Sequence, residues 1–348
     1  MAKFTLTGFI RSQYAKRPPV VKQDLTGKTV MVVGANAGLG FEATKHFATM
    51  NPGRLILACR SQSKGQAALE QIKAETGCKT GELWIVDLAE FASVQRFADK
   101  FEQDGGRLDY LIANAAVVLP KYECSKDGYE TALQVNCFSM PLLALLLFPH
   151  MVRTAREHST VPRIVVVASE VHFMATFEKE VRDKPDILAT LGSAEYCTPK
   201  TILTVCDRRM GDRYFLTKLL NIMFVRALND RLPGSMPLVV NAVNPGYCYS
   251  NIRKSLTGMM ALVDFFMEVL LALPTETGSR QLVWAALGEP GDPEKLRGEY
   301  ISLQRVEEVS DFILSPEGAR VQNRIWDELI AMLGKVDLRV HTYLSGSV

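Results

Sequence analysis

The chain is 348 residues long, 47% apolar and 22% charged, with a formal net charge of +2 at pH 7. Such a length holds one large α/β domain or two small ones, and the apolar share suffices for a substantial core. The near-neutral charge gives no reason to expect a nucleic-acid partner, and seven scattered cysteines without a C-x-x-C pair, with five dispersed histidines, exclude a disulfide frame and a metal-site spacing, as in a cytoplasmic protein with reduced thiols.

Residues 1–26 read as an N-terminal arm, basic, dotted with Phe4, Phe9 and Tyr14, and without the apolar core of a secretory signal. Packing on the domain is the expectation; peripheral contact with a membrane is the alternative. Residues 27–348 read as one domain. Apolar runs of strand length at Thr29–Val33, Arg54–Cys59, Leu83–Val86, Tyr110–Ala113, Arg163–Ala168 and Leu238–Val243 alternate with helical patterns at Gly40–Met50, Lys64–Thr76, Ser93–Gln103 and Tyr214–Arg231. Strands with little polar alternation, separated by helices, predict a parallel sheet buried on both faces. Six such units make a doubly wound α/β (Rossmann) fold.

Two regions are additions to that core. Residues 173–213 are polar and carry Pro185, Gly192 and Pro199, which predicts a surface insertion. Residues 252–348 predict a helical lid over the substrate, with an apolar run at Met259–Leu273 and an amphipathic helix near Val321–Leu333. In that helix Ile325, Leu329 and Met332 share a face, flanked by Trp326. The apolar run is 15 residues long and contains Asp264 and Glu268, too short and too charged for a transmembrane segment.

The first strand runs into Gly34-Ala35-Asn36-Ala37-Gly38-Leu39-Gly40, and a helix follows at once. Glycines there let the backbone turn sharply and approach a pyrophosphate, whose charge then sits at the helix N-terminus. Beyond it the second strand ends at Arg60, followed by Ser61 and Lys64. A carboxylate at this place binds the ribose hydroxyls of NAD. A guanidinium instead pairs with a 2′-phosphate, so NADP(H) is the expected cofactor. Further on, Tyr214 and Lys218 lie four apart on one helical face. Free tyrosine titrates near pH 10, and a neighbouring cation lowers that value toward the range where a phenol exchanges protons efficiently. Alone, Y-x-x-x-K is common and says little. Here it comes with Ser169, at the C-terminal end of the fifth strand, where ligands of open parallel sheets sit, and with Asn136 in the helix after the fourth.

Gly34–Gly40, Asp87-Leu88, Ala113-Asn114-Ala115-Ala116, Asn136, Ala168-Ser169, Tyr214-x-x-x-Lys218 and Asn244-Pro245-Gly246 stand in the order they take in the short-chain dehydrogenase/reductase family, which the chain resembles over Thr26 to Gly246. The strand end Leu57-Ala58-Cys59-Arg60, Asp127-Gly128-Tyr129-Glu130, Ser169-x-x-His172, Gly298-Glu299-Tyr300 and the Trp326 helix resemble its subgroup of retinol dehydrogenases and carbonyl reductases. The resemblance implies an oxidoreductase that moves a hydride between nicotinamide and a lipophilic carbonyl or alcohol. Ser169 would bind the substrate oxygen, Tyr214 would give or take its proton, and Lys218 would lower the tyrosine pKa and hold the nicotinamide ribose. Asn136 would position a water in a relay behind Lys218. The cofactor contacts implied are Gly34, Asn36, Gly38, Leu39 and Gly40 in the turn, Arg60 and Lys64 at the 2′-phosphate, and Asp87 with Leu88 near the adenine. Asn114 and Ala115 would face the cofactor, and Pro245 and Gly246 would frame the nicotinamide with Ser250 near its amide.

The chain departs from the family pattern at Val33, usually Thr, and at Ala113 and Ala116 within the usual Asn-Asn-Ala-Gly. It departs further in the spacing of 45 positions from Ser169 to Tyr214, far longer than usual. The same site could reduce an activated C=C bond, and a non-catalytic NADP(H)-binding module is the reading outside enzymes. His172 reads equally as a substrate contact or a structural donor. Met174, Phe177, Met259, Met260, Phe265 and Phe266 read as pocket lining or core. Family members often pair through the helices carrying Asn136 and Tyr214, which implies a homodimer unless the C-terminal extension intervenes.

Overall fold

The structure, a computed structural model, describes residues 5–175, 177–197, 208–250 and 258–344. Strands β1 (Thr29–Val33), β2 (Arg54–Cys59), β3 (Gly81–Ile85), β4 (Tyr110–Ala113), β5 (Arg163–Val167), β6 (Val239–Val243), β7 (Tyr300–Ser302) and β8 (Arg305–Glu307) form one sheet in the order β3-β2-β1-β4-β5-β6-β7-β8. Every pairing is parallel except that of β8 with β7.

Helices α1 (Leu6–Tyr14), α2 (Gly38–Ala48), α3 (Gln62–Thr76), α4 (Phe91–Asp104), α5 (Thr131–His158), α6 (Arg208–Asn229), α7 (Gly258–Leu271), α8 (Thr275–Leu287) and α9 (Pro316–Val336) surround it. Successive strand residues point to opposite faces. Met31, Val33, Ile56 and Ala58 accordingly pack with Val94 of α4, Leu143 of α5, Leu220 of α6 and Ile325 of α9. Val30, Val32, Leu55 and Leu57 pack with Phe47 of α2, Ile72 of α3 and Leu282 of α8. Both layers are apolar, which is why these strands show no alternation in sequence.

α5 is long and apolar enough to cross a membrane by length and composition, yet 94% of its apolar window is buried in the fold. It is a core helix. Among the described residues no group of His, Cys, Asp and Glu could hold a metal ion.

Three expectations change. The sheet has two strands more than the apolar runs predict. α6 begins at Arg208, so Tyr214 stands inside the helix rather than at its start. The insertion is not a surface loop: its described part forms short helices at Lys179–Arg182, Ile187–Gly192 and Ala194–Cys197, and Val181, Ile187, Leu188 and Leu191 enter the main core. Apolar residues spaced through a polar segment drive that packing. Glu328 Oε2 on α9 accepts from Leu188 N at 2.8 Å. Residues 176 and 198–207 of the expected insertion lie outside the described residues.

The terminal amphipathic helix is α9, whose Val321, Ile325, Trp326, Leu329 and Leu333 are buried. Trp326 stacks on Phe224 of α6 with ring centroids 6.0 Å apart. The helix Arg339–Leu344 packs on α5. The C-terminal extension thus lies against both helices through which pairing is expected.

The arm does pack on the domain. Gln13 is buried and closes on α7 and the loop after β6: its Nε2 donates to Tyr247 O and Leu271 O at 2.8 and 2.9 Å, and its Oε1 accepts from Tyr247 N at 3.3 Å.

Candidate active site

Because β1 to β6 run parallel, the residues that follow them meet along one edge of the sheet. Those residues include Gly34, Arg60, Asp87, Asn114, Ser169 and Pro245, each predicted from sequence. At β1 the chain turns with Gly34 at φ +82° and Gly38 at φ +63°, a left-handed backbone that favours glycine. A Cβ on Gly40 would stand 2.3 Å from Gly34 O and 2.5 Å from Asn114 Nδ2, so the turn closes only around glycine. α2 then starts with Ala37 as N-cap and no side-chain cap. Its first N–H groups point to where an anion is stabilised by the helix dipole.

Asn114 is bonded into the glycine turn itself. Its Nδ2 donates to Val33 O and Gly34 O, both at 3.2 Å, and so braces the turn from β4. That bracing stands beside the hydroxyl missing at Val33. Ala115 packs against Gly34, and Leu39 packs by Gly278 of α8 beside Pro245. Asn36 is half-buried. Arg60 and Lys64 are exposed at the end of β2 and in the first turn of α3, where Ser61 caps the helix by accepting from Lys64 N. Asp87 Oδ1 accepts from Ala89 N at 3.0 Å and shapes the turn after β3, with Leu88 buried beneath.

Lys218 is buried within α6. Its Nζ donates to Val167 O, at the end of β5, at 2.6 Å and lies 5.4 Å from the centre of the Tyr214 ring. Burial pulls the ammonium down to about 8, with the Cys137 thiol acting in the opposite sense. Asn136 sits in a π-helical segment, Gln134–Ser139, of α5. Its Oδ1 accepts from Val117 N and its Nδ2 donates to Val117 O, each at 2.9 Å. The same Nδ2 reaches Thr217 Oγ1 at 3.3 Å, and that hydroxyl donates to Tyr214 O at 2.8 Å. Asn136 therefore joins the β4 loop to the turn of α6 that carries Tyr214 and Lys218. Ser169 caps the 3₁₀ turn Glu170–Met174, which packs on α6.

Three residues matter here that sequence reasoning left without a settled role. Asn244 Oδ1 accepts from Glu170 N at 3.2 Å and Gly246 N at 3.1 Å, while its Nδ2 donates to Ser302 Oγ at 3.2 Å. One amide thus ties the serine loop to the Pro245-Gly246 loop and to β7. His172 is a structural donor: Nδ1 donates to Ser169 O at 2.7 Å and Nε2 accepts from Ser310 N at 3.3 Å. That pairing requires the neutral ring, and burial lowers its pKa to about 4. Glu170 is pushed up to about 7 by burial, offset by Arg17 of the arm. Only the Asn244 motif was visible as a signal. The side chains called candidate pocket lining divide differently: Phe177 is buried against Phe312, and Met174, Phe265 and Phe266 are exposed. Ser250 is half-buried past the Pro245 loop; the side chains of Met259 and Met260 lie outside the described residues.

A model of the short chain dehydrogenase family matches residues 28–181. The short chain dehydrogenase/reductase dmxR8 of Cryptosporiopsis sp. is 34% identical over 333 residues, 94% of this chain and 97% of that protein. The short-chain dehydrogenase anuD of Penicillium roqueforti is 34% identical, covering 95% of this chain and 84% of that one. Among solved structures, a short chain dehydrogenase from Shigella flexneri complexed with NADP matches with a TM-score of 0.56 at 20% identity, over 82% of this chain and 100% of that chain, a likeness of fold.

Proposed function

The chain belongs to the short-chain dehydrogenase/reductase family, and on that premise we propose that it is an NADP(H)-dependent oxidoreductase acting on a lipophilic carbonyl or secondary alcohol, with Tyr214 as acid/base. The observation that carries this reading is the buried Lys218 ammonium 5.4 Å from the Tyr214 ring, bonded to the end of the strand that leads to Ser169.

The turn from Gly34 to Gly40 and the uncapped start of α2 fit a pyrophosphate, and the cations Arg60 and Lys64 fit a 2′-phosphate. Pro245, Gly246 and Ser250 are assigned to the nicotinamide end. When bound, the cofactor supplies or accepts the hydride. The chain's own part is to hold and to move a proton. Ser169 Oγ donates to the substrate oxygen and fixes it. Tyr214 Oη gives that oxygen its proton during reduction and takes it back during oxidation. A nearby ammonium favours the phenolate, so Lys218 brings the phenol toward working pH. Asn136 keeps the Tyr214 turn in register with the β4 loop. α7, apolar and packed beside the Tyr247 loop, suits a lipophilic substrate.

The test is a panel of ketones, aldehydes and enones with NADPH or NADH, with products identified. Carbonyl reduction with NADPH that Tyr214→Phe abolishes, while NADPH still binds, is the expected result. Binding without turnover of any panel member, indifferent to Tyr214→Phe, overturns it, and saturated ketones formed from enones reassign the bond reduced.

A further inference from the structure

Two helices that meet beside the Tyr247 loop leave one apolar surface uncovered. Leu6, Ile10 and Tyr14 recur every fourth residue along α1 and are 62%, 37% and 70% exposed. Phe265, Phe266, Val269 and Leu270 form a stripe on α7 and are 58%, 55%, 58% and 63% exposed. The stripes meet, because Tyr14 Oη donates to Leu270 O at 2.9 Å and α1 packs on α7. Of the thirteen large apolar side chains exposed among the described residues, these seven stand together. Single exposed apolar residues are ordinary, whereas a joined patch marks a surface that meets something else.

Charge says what that is. Residues 1–23 contain Lys3, Arg11, Lys16, Arg17 and Lys22 and no acidic residue. Arg11, Lys16 and Lys22 are exposed, and Arg11 flanks the α1 stripe. Glu268 of α7, half-buried, lies off its stripe. An anionic bilayer meets both features at once, with aromatic and aliphatic tips entering the boundary of the acyl chains while cations meet phosphate. Helices of 9 and 14 residues are too short to cross and suit lying in the interface.

We propose that α1 and α7 together form a peripheral docking surface for an anionic phospholipid bilayer. The buried side of the same pair carries Phe9, packed on Tyr247 with centroids 6.1 Å apart, and Gln13, so docking brings the loop after Gly246 close to the lipid. The surface stands independently of the reaction assigned above, and its test needs no turnover.

The full chain is mixed with vesicles of phosphatidylcholine containing phosphatidylserine, or of phosphatidylcholine alone, and the bound fraction is read by co-sedimentation. Binding to the anionic vesicles, weakened by salt, is expected. Phe265→Ser with Phe266→Ser is expected to lower the partition about tenfold. Arg11→Glu with Lys16→Glu is expected to remove the preference for phosphatidylserine, with circular dichroism and melting unchanged in both variants. Failure to bind either vesicle overturns the proposal, as does binding indifferent to the phenylalanine pair. A concentration-dependent dimer dispersed by the same phenylalanine substitutions, without vesicle binding, assigns the surface to a second copy instead.

Discussion

Arg213 Nε lies 3.6 Å from Glu130 Oε2, with both side chains almost wholly removed from water, one residue before Tyr214. The Glu130 carboxylate also accepts from Ala132 N and Leu133 N at the start of α5, at 3.0 and 2.8 Å. Arg213 donates to Leu191 O at 2.7 Å and contacts Cys197 Sγ. One buried cation therefore joins α5, the inserted helices and α6 directly behind the tyrosine.

Arg213→Met leaves the Glu130 carboxylate buried without its cation and is expected to cost about 3 kcal/mol of stability, measured by urea denaturation. Combining it with Glu130→Gln is expected to cost less than the sum of the single changes. Strict additivity would show that the pair does not act as a unit.

Burial holds Lys218 at about 8, against an ordinary value of 10.5. Between these values the unfolded chain binds more protons than the folded one, so stability rises with pH across that window. Below pH 8 the folded state carries the full penalty of a buried charge, on the order of 3 kcal/mol. Lys218→Met is expected to abolish turnover and yet to be no less stable than the parent near pH 7. Between pH 8 and 10.5 its stability relative to the parent falls. A parent whose stability, measured against this variant, is flat with pH there contradicts the assignment.

His172 runs the other way along the pH scale. Its folded value of about 4 lies below the ordinary 6.5, so the unfolded chain takes the proton first as pH falls. Stability contributed by the neutral ring is full above 6.5 and is lost as pH drops toward 4, amounting to about 3 kcal/mol. Comparing acid denaturation of the parent and His172→Gln isolates this from His46 and His150, whose values burial also lowers. The variant is expected to be less stable at pH 7 and to show a shallower acid slope.

Arg60→Ala is expected to raise KM for NADPH at least about tenfold with kcat little changed, since a charge-assisted pair to phosphate contributes binding common to ground and transition states. Kinetics with NADH should barely move. An equal loss with both cofactors would place Arg60 away from the 2′-phosphate.

The runs that became β1, β2, β4, β5 and β6 were legible because a strand buried on both faces must be apolar throughout, whereas the edge strand β3 is only partly buried. β7 and β8 were not legible, being three residues each and joined to the sheet by only a few pairs. The glycine turn, Tyr214 and Lys218 carried their own spacing. Their supports did not: Asn136 meets Val117, and Asn244 meets Glu170, through contacts between distant segments that no local pattern encodes. The start of α6 was hidden because Arg208, Arg209, Asp212 and Arg213 read as polar loop until the pairing of Arg213 with Glu130 is known.

Gln13 answers three backbone groups more than two hundred residues away, two on Tyr247 and one at the end of α7. Whatever is attached to, or trimmed from, the amino terminus therefore acts on the loop after β6 and on the end of α7. A chain started at Asp24 would keep all eight strands and both core layers but lose the amide that closes Tyr247 onto α7. Such a truncated protein would be expected to fold well, bind the adenosine end of a dinucleotide, and handle its substrate badly.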